Sequence, residues 1–193
     1  MSYLTQQEID SINFKYIGKN VKISNSAKIY NANQIEIGDN SRIDDFCVLS
    51  GKIKIGRNVH IAVFCNVAGG SGGIEICDFA GLAYYVNLFT QSDDYLGFTL
   101  TNPTVPRKYK NEFFGSLKIG KHAIIGSNSS IMPNAHIAEG CSIGAMSLVT
   151  KATDPWGIYV GVPAKWIKSR STELLKLEQQ YLLDEVLTPN TGE

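Results

Sequence analysis

Aliphatic residues recur six apart along most of this chain. In the C-terminal half they fall at 119, 125, 131, 137, 143 and 149. The position four further on is always small: Ala123, Ser129, Ala135, Cys141 and Ser147. Neither the 3.6-residue period of a helix nor the two-residue alternation of a half-wet strand produces this spacing. A fixed six-residue repeat predicts a parallel β-helix. Each hexapeptide is then a short strand plus a corner, and three of them close a triangular coil. The aliphatic side chain points inward, and the small one fits where the wall bends. Coils stack so that each covers the apolar face and the backbone edge of the last.

The same beat starts at Ile17 and continues at Ile23 and Ile29. It shifts phase at 35–36 and resumes at Ile37, Ile43, Leu49, Ile55, Ile61 and Val67. A glycine-rich insertion, Gly69 to Gly73, precedes a further run at Ile76, Leu82 and Leu88. The period then breaks over 91–116, QSDDYLGFTLTNPTVPRKYKNEFFGS. Long excursions within a regular solenoid are functional or disordered. The aromatics here (Tyr95, Phe98, Tyr109, Phe113, Phe114) argue against disorder and for a loop that leaves the wall and reaches a neighbouring subunit. Before the repeat, Thr5 with Glu8 predicts a capped helix over 5–12 that closes the open end of the solenoid. After it, STELLKLEQQYLLDEV predicts an amphipathic helix with a stripe of Leu174, Leu177, Tyr181 and Leu182, capped by Ser171 or Thr172. The final TPNTGE is expected to fray. The expected division is a capping segment 1–16, a β-helix 17–151 with its loop 91–116, and a tail and helix 152–193.

Composition narrows the function. A chain of 193 residues that is 44% hydrophobic has ample material for one core. Its 18 basic and 18 acidic residues balance, so it lacks the electrostatic footprint of a nucleic-acid binder. No apolar run reaches the length of a membrane span. MSYLTQQEIDSI lacks the basic start and apolar segment of a secretion signal, so a cytoplasmic location is expected. The four cysteines show no CxxC spacing. Cys47 and Cys65 share the small inward position of the repeat, which suits buried thiols in a reducing compartment.

The hexapeptides, the loop after FTQSDDY and the tail GVPAKWIK together resemble the left-handed β-helix acyltransferases, in particular sugar acetyltransferases of the galactoside and maltose type. The runs SRIDDFCVLSGKIKIG, DDYLGFTLTNPTVP and GAMSLVTK…WGIYVGVPAK are similar to acetyltransferases of bacterial surface-polysaccharide clusters, including those acting on a dTDP-linked 4-amino-4,6-dideoxyglucose. The likeness covers about residues 14–180. It implies left-handed coils, a homotrimer with active sites between subunits, acetyl-CoA as co-substrate without a metal, and a role in lipopolysaccharide O-antigen synthesis. It also places Ser127 and Ala145 beside the pantetheine, Thr150 and Lys151 near the adenosine, and Lys165 and Lys168 facing the phosphates. Lysines at the mouth of such a groove would attract and orient a polyanionic coenzyme. Where the family often lays a tryptophan on the coenzyme, this chain has Ile124.

On the catalytic side the chain departs from the pattern. Sugar O-acetyltransferases place a histidine ahead of the long loop, at a position that holds Asp93 here. A family asparagine falls on Ala62, and an aspartate on Gly70–Ser71. A sugar hydroxyl needs a base near pH 7, and an aspartate with its ordinary pKa near 3.9 serves poorly. An amine with a pKa of about 8 is already partly unprotonated and needs only orientation and a late proton acceptor. Asp93 therefore favours N-acetylation, and adjacent Asp94 could exchange roles with it. His60, at an outward position close to Ala62, is the other candidate base. Tyr84, Tyr85 and Asn87, with Asp94 and the loop, are the candidate acceptor contacts.

Other readings compete. With His60 as base, the chain would O-acetylate a glycan. A zinc hydratase on the same fold needs three converging histidines, and His60, His122 and His136 occupy mixed phases of the repeat. Loss of the family histidine would also suit a non-catalytic binding solenoid, but the retained lysine-bearing tail and the long loop count against it.

Overall fold

The computed structural model describes residues 2–187. The C-terminal segment expected to fray, 188–193, lies outside them. Short strands run around a triangular solenoid and pair in parallel with their counterparts one coil above and below. The first face stacks Tyr16–Ile17, Ile35–Ile37, residues 53–55, residues 74–76 and Leu117–Ile119. The second stacks Lys22–Ile23, Arg42–Ile43, His60–Ile61, Gly81–Leu82, Ile124–Ile125, Ser142–Ile143 and Gly157–Gly161. The third stacks Lys28–Tyr30, residues 48–50, residues 66–68, Asn87–Phe89, Ser130–Ile131 and Leu148–Val149.

The register explains the sequence beat. Ile43 pairs with Ile61, Ile61 with Leu82, Leu82 with Ile125 and Ile125 with Ile143. Equivalent columns on the other two faces complete a core that is almost wholly aliphatic. The small residues Cys47, Cys65, Ala123, Ser129, Ala135, Cys141 and Ser147 are all buried.

The corners demand left-handed backbone. Asn20, Asn40 and Asn58 adopt it between the first and second faces, followed up the stack by Phe79 and His122. Between the second and third faces it falls on Phe46, Phe64, Tyr85, Asn128 and Met146. Asn tolerates this region, whereas bulky residues rarely enter it. Phe46, Phe64 and Tyr85 form a stacked ladder there, with ring centroids 5.0 and 4.8 Å apart.

Helix α1 (Gln6–Ile12) closes the lower end. Its capping box forms as the sequence predicts, with the Thr5 N–H donating to the Glu8 carboxylate at 2.7 Å, and Ile9 seals the core. The glycine-rich insertion is carried within the wall: Asn66–Ile76 is one strand that turns the corner from the third face to the first, with a register shift where residues 71–73 stand against Lys52 alone. Gly51, at φ +78°, lies against Gly70, where a Cβ would stand 2.5 Å from the Gly70 nitrogen. One expectation is corrected: the β-helix does not end at 151, because Gly157–Gly161 adds another rung to the second face.

Residues 91–116 leave the wall between the coil of Leu88 and the coil of Ile119. Gln91–Ser92 and Phe113–Phe114 pair antiparallel at its base. At the upper end, Gly157–Gly161 and Ala164–Ser169 form a hairpin, and α2 (Leu174–Leu187) runs back down the corner between the first and second faces.

Ile125 is fully buried and Lys28 lies on the outer wall. Ile125→Ala should destabilise the fold by about 2–5 kcal/mol, whereas Lys28→Ala should stay within about 0.5 kcal/mol. Denaturant melts of both variants check this; equal effects would contradict the inward column.

Candidate active site

Stacking places some of the expected coenzyme residues in one line. The Asn128 N–H donates to the Tyr84 carbonyl at 2.9 Å, and the Met146 N–H donates to the Ser127 carbonyl at 2.8 Å. Tyr84, Ser127 and Ala145 are therefore equivalent positions on successive rungs of the corner between the second and third faces. Beside them runs a column of small residues, Ala62, Ala83, Gly126 and Gly144, each donating its N–H to the rung above. A Cβ at Gly126 would meet the Ala145 nitrogen at 2.5 Å, so glycine is required there. This column of small residues is the candidate furrow of the second face, with exposed Ile124 and half-buried Ser142 beside it.

The hairpin closes the upper end of this furrow. Lys165 pairs with Val160 and Lys168 with Ile158, and an irregularity at Ile167 lets both lysines share the outward side. Both are exposed. Thr150 and Lys151 do not join them. They follow Val149 at the far end of the third face, three or more strand residues past Ser147, or on the order of 10 Å. Asn87 lies on that third face, between Asn66 and Ser130.

Asp93 stands apart from the furrow of its own chain. The excursion leaves from the corner between the third and first faces, just past Thr90, which donates to the Ala68 carbonyl at 2.9 Å. The Asp93 side chain makes no hydrogen bond or ion pair among the described residues, whereas the Asp94 carboxylate is fully engaged. It accepts from the Leu96 and Thr99 N–H groups at 2.8 Å each and from the Thr99 hydroxyl at 3.0 Å. The Leu96 backbone donor first, then Thr99, holds its carboxyl below the usual range. Asp94 thus organises the loop rather than presenting a free contact. Lys110 and Glu112 pair at 3.1 Å inside the same loop. At its tip Tyr95, Leu96 and Phe98 are 89%, 81% and 84% exposed.

His60 lies at the lower end of the furrow, on the strand directly above Arg42. Its Nε2 is 2.7 Å from Asp44 Oδ2 and 2.8 Å from Arg42 Nη2. Sequence reasoning missed Arg42 and Asp44, although the 18-residue coil that separates Cys47 from Cys65 also separates Arg42 from His60.

His122 is buried beneath α2, where its Nε2 meets Glu178 at 2.9 Å. Lys121 pairs with the other Glu178 oxygen at 2.6 Å. Asn58 donates to the Tyr181 hydroxyl at 2.9 Å, and Arg57 pairs with Glu185. Of the predicted stripe, Leu177 remains exposed, because these polar contacts direct the docking of α2. Arg170 donates to the carbonyls of His122 and Gly140 at 2.8 and 3.0 Å and anchors the helix to the coils. Between α2 and the second face lies a groove of about 550 Å³ lined by Phe79, Gly81, Ile124, Leu174 and Leu177. His136 lies on the first-face side, away from His60. Among the described residues no group of His, Cys, Asp or Glu side chains could hold a metal.

Comparison with known proteins accounts for this architecture. The bacterial transferase hexapeptide model (six repeats) matches residues 34–69 and 116–151. An Escherichia coli dTDP-4-amino-4,6-dideoxy-D-glucose acyltransferase is 41% identical over 184 residues, covering 94% of this chain and 95% of the relative. This chain belongs to the hexapeptide-repeat acyltransferases. AntD, an N-acyltransferase from Bacillus cereus, superposes with a TM-score of 0.93 at 46% identity over 95% of this chain and 97% of AntD, in a crystal structure with dTDP and 3-hydroxybutyryl-CoA. A serine-to-alanine variant of AntD in complex with dTDP-4-amino-4,6-dideoxyglucose and coenzyme A superposes at 0.94, with 46% identity over 95% and 98% of the two chains.

The Glu178 contacts make the docking of α2 pH-dependent. Burial alone would raise the Glu178 pKa, but hydrogen bonds from Lys121 and His122 outweigh it and hold the carboxyl below its usual value. Its stabilising contribution is therefore present above the unfolded carboxyl pKa of about 4.3 and is lost as the pH falls through the folded value. Glu178→Gln should cost about 1–3 kcal/mol by leaving buried donors short of an acceptor. Hydrogen exchange should show faster α2 amides in this variant, with the Ile125 and Ile143 rungs unchanged.

Proposed function

We propose that this protein transfers the acetyl group of acetyl-CoA to the amino group of a nucleotide-activated amino-deoxy sugar. The observation that carries this reading is the near full-length similarity to AntD, whose crystal structures contain coenzyme A together with dTDP or dTDP-4-amino-4,6-dideoxyglucose. The furrow supports it. Two lysines stand at its upper end for the coenzyme phosphates, Ser127 and Ala145 border its length for the pantetheine, and small residues keep it open. Acetyl transfer in such a groove needs no covalent enzyme intermediate, because amine and thioester are held together and proximity supplies much of the acceleration.

The active enzyme is a homotrimer in this reading. Tyr95, Leu96 and Phe98 expose more apolar surface than a solvated loop tip requires, and the corner ladder of Phe46, Phe64 and Tyr85 is exposed as well. Each loop crosses to the furrow of the next copy and brings Asp93 beside the acceptor amine. Asp93 hydrogen-bonds and orients the amine, and Tyr84 and Asn87 contact the sugar. Thr150 and Lys151, on the next face, meet the adenosine end from the adjoining copy. Four free cysteines fit a reducing cytoplasm, where acetyl-CoA is available. Activated amino-deoxy sugars feed bacterial surface polysaccharides such as lipopolysaccharide O-antigen, and we assign the enzyme to that synthesis.

The purified protein should convert acetyl-CoA and dTDP-4-amino-4,6-dideoxyglucose to free CoA and the N-acetyl product, read by mass spectrometry. A matched nucleotide sugar with a hydroxyl in place of the amine should remain unmodified; preferential O-acetylation would overturn the reading. Asp93→Asn should lower kcat about 10- to 100-fold with little change in KM for acetyl-CoA. Lys165→Ala with Lys168→Ala should do the reverse, raising that KM and weakening its dependence on ionic strength.

A further inference from the structure

The lower end of the furrow carries an arrangement that the coenzyme does not explain. Asp44 is only 3% exposed, yet it occupies the column that otherwise holds Ala62, Ala83, Gly126 and Gly144. A buried carboxylate needs partners. Arg42 supplies one: its Nη2 donates to Oδ2 at 3.2 Å, and its Nε lies 3.0 Å from Oδ1 as an ion pair that leaves Oδ1 without a hydrogen bond. His60 supplies the other, with Nε2 2.7 Å from Oδ2. The His60 side chain is 44% exposed, while that of Asp44 is 4% exposed. The imidazole is thus gripped on one edge by a buried acid and open to solvent on the other. Arg42 and Asp44 are the charged groups within contact distance of it among the described residues.

We propose that Asp44 is a positioning residue that fixes His60 as the proton acceptor for the amine during acetyl transfer. This rests on the function proposed above. A carboxylate only accepts hydrogen bonds, so the 2.7 Å contact to Asp44 calls for the proton on Nε2; Arg42 Nη2, 2.8 Å from the same nitrogen, then donates to Asp44 Oδ2 at 3.2 Å instead, and Nδ1 keeps its lone pair. Arg42 neutralises Asp44 and holds it against the wall.

Position along the solenoid supports the role. His60 heads an outward column that continues through Gly81, Ile124 and Ser142 to Ile158 beside Lys168; four steps at ~4.8 Å span about 19 Å. A coenzyme with its phosphates at Lys165 and Lys168 and its arm extended along the furrow brings its thioester toward the His60 end. Ala62, next to His60, leaves room for the acceptor.

The step balances as follows. The amine nitrogen attacks the thioester carbonyl carbon and forms the C–N bond, with Asp93 of the adjoining copy orienting the ammonium-like nitrogen. One N–H proton passes to His60 Nδ1. The C–S bond breaks, and the departing CoA thiolate takes that proton from the imidazolium. The products are the N-acetyl sugar and CoA–SH, and His60 returns to its starting tautomer.

The test uses the full-length protein with acetyl-CoA and dTDP-4-amino-4,6-dideoxyglucose. His60→Gln should lower kcat about 100-fold, with KM for acetyl-CoA unchanged. Asp44→Asn should lower kcat roughly 10- to 100-fold, and the double variant should be no slower than His60→Gln alone, because Asp44 acts through His60. Multiplicative losses in the double variant, or full activity in His60→Gln while the wild type acetylates the amine, overturn the inference and leave the proposed function standing. If the wild type acetylates no amino sugar, both fall. Should Asp44→Asn fail to fold, nitrogen-15 NMR of wild-type His60 still decides. The Nε2–H tautomer supports the proposal, and an Nδ1–H tautomer accepting from Arg42 at Nε2 overturns it.

Discussion

Coil-on-coil stacking is the interaction on which the rest of this molecule depends. Each rung satisfies its backbone groups on the rungs above and below and presses one aliphatic side chain onto the column beneath it. No single strand of two or three residues could persist alone. Stacked in register, such strands make a rigid prism whose outer positions are fixed to within a rung. Side chains 18 or more residues apart, such as Arg42 and His60, thereby become contact neighbours without any loop having to be ordered.

That rigidity also explains where function can sit. The outer wall is flat and hydrogen-bonded, so concavity arises only where side chains are missing or where an element leaves the wall. Ala62, Ala83, Gly126 and Gly144 provide the first condition along the second face. The excursion and the C-terminal hairpin with α2 provide the second. Within one chain, Asp93 and the furrow lie at different corners of the prism. In the proposed homotrimer the loop of one copy would bring Asp93 to the furrow of the next.

Much of the fold was legible because one residue in six carries the message. The inward column, the capping box at Thr5 and the excursion all follow from spacing. The glycine-rich insertion was legible as a break in the six-residue spacing, and the register shifts there. The rung at Gly157–Gly161 was missed because the beat slips there: after Val149 it falls on Pro155, and Tyr159, which pairs with Ile143, stands off phase. The site was less legible. Asp93 and Asp94 look alike in sequence, and only hydrogen bonding shows that Asp94 is committed to the loop. The burial of His122 was not legible because nothing local announces that Glu178, far along the chain, covers it. Asp44 and Arg42 were overlooked for a related reason: their partner lies one full coil away, a distance that local motifs do not register.

The most direct measurement is a crystal structure of the assembled protein with coenzyme A and dTDP-4-amino-4,6-dideoxyglucose. The account predicts the coenzyme lying along the second face past Ala145 and Ser127. Its sulfur should sit near the His60 end, and the sugar amine should lie between His60 of one copy and Asp93 of the next. A coenzyme on another face, or an amine remote from both side chains, would contradict it.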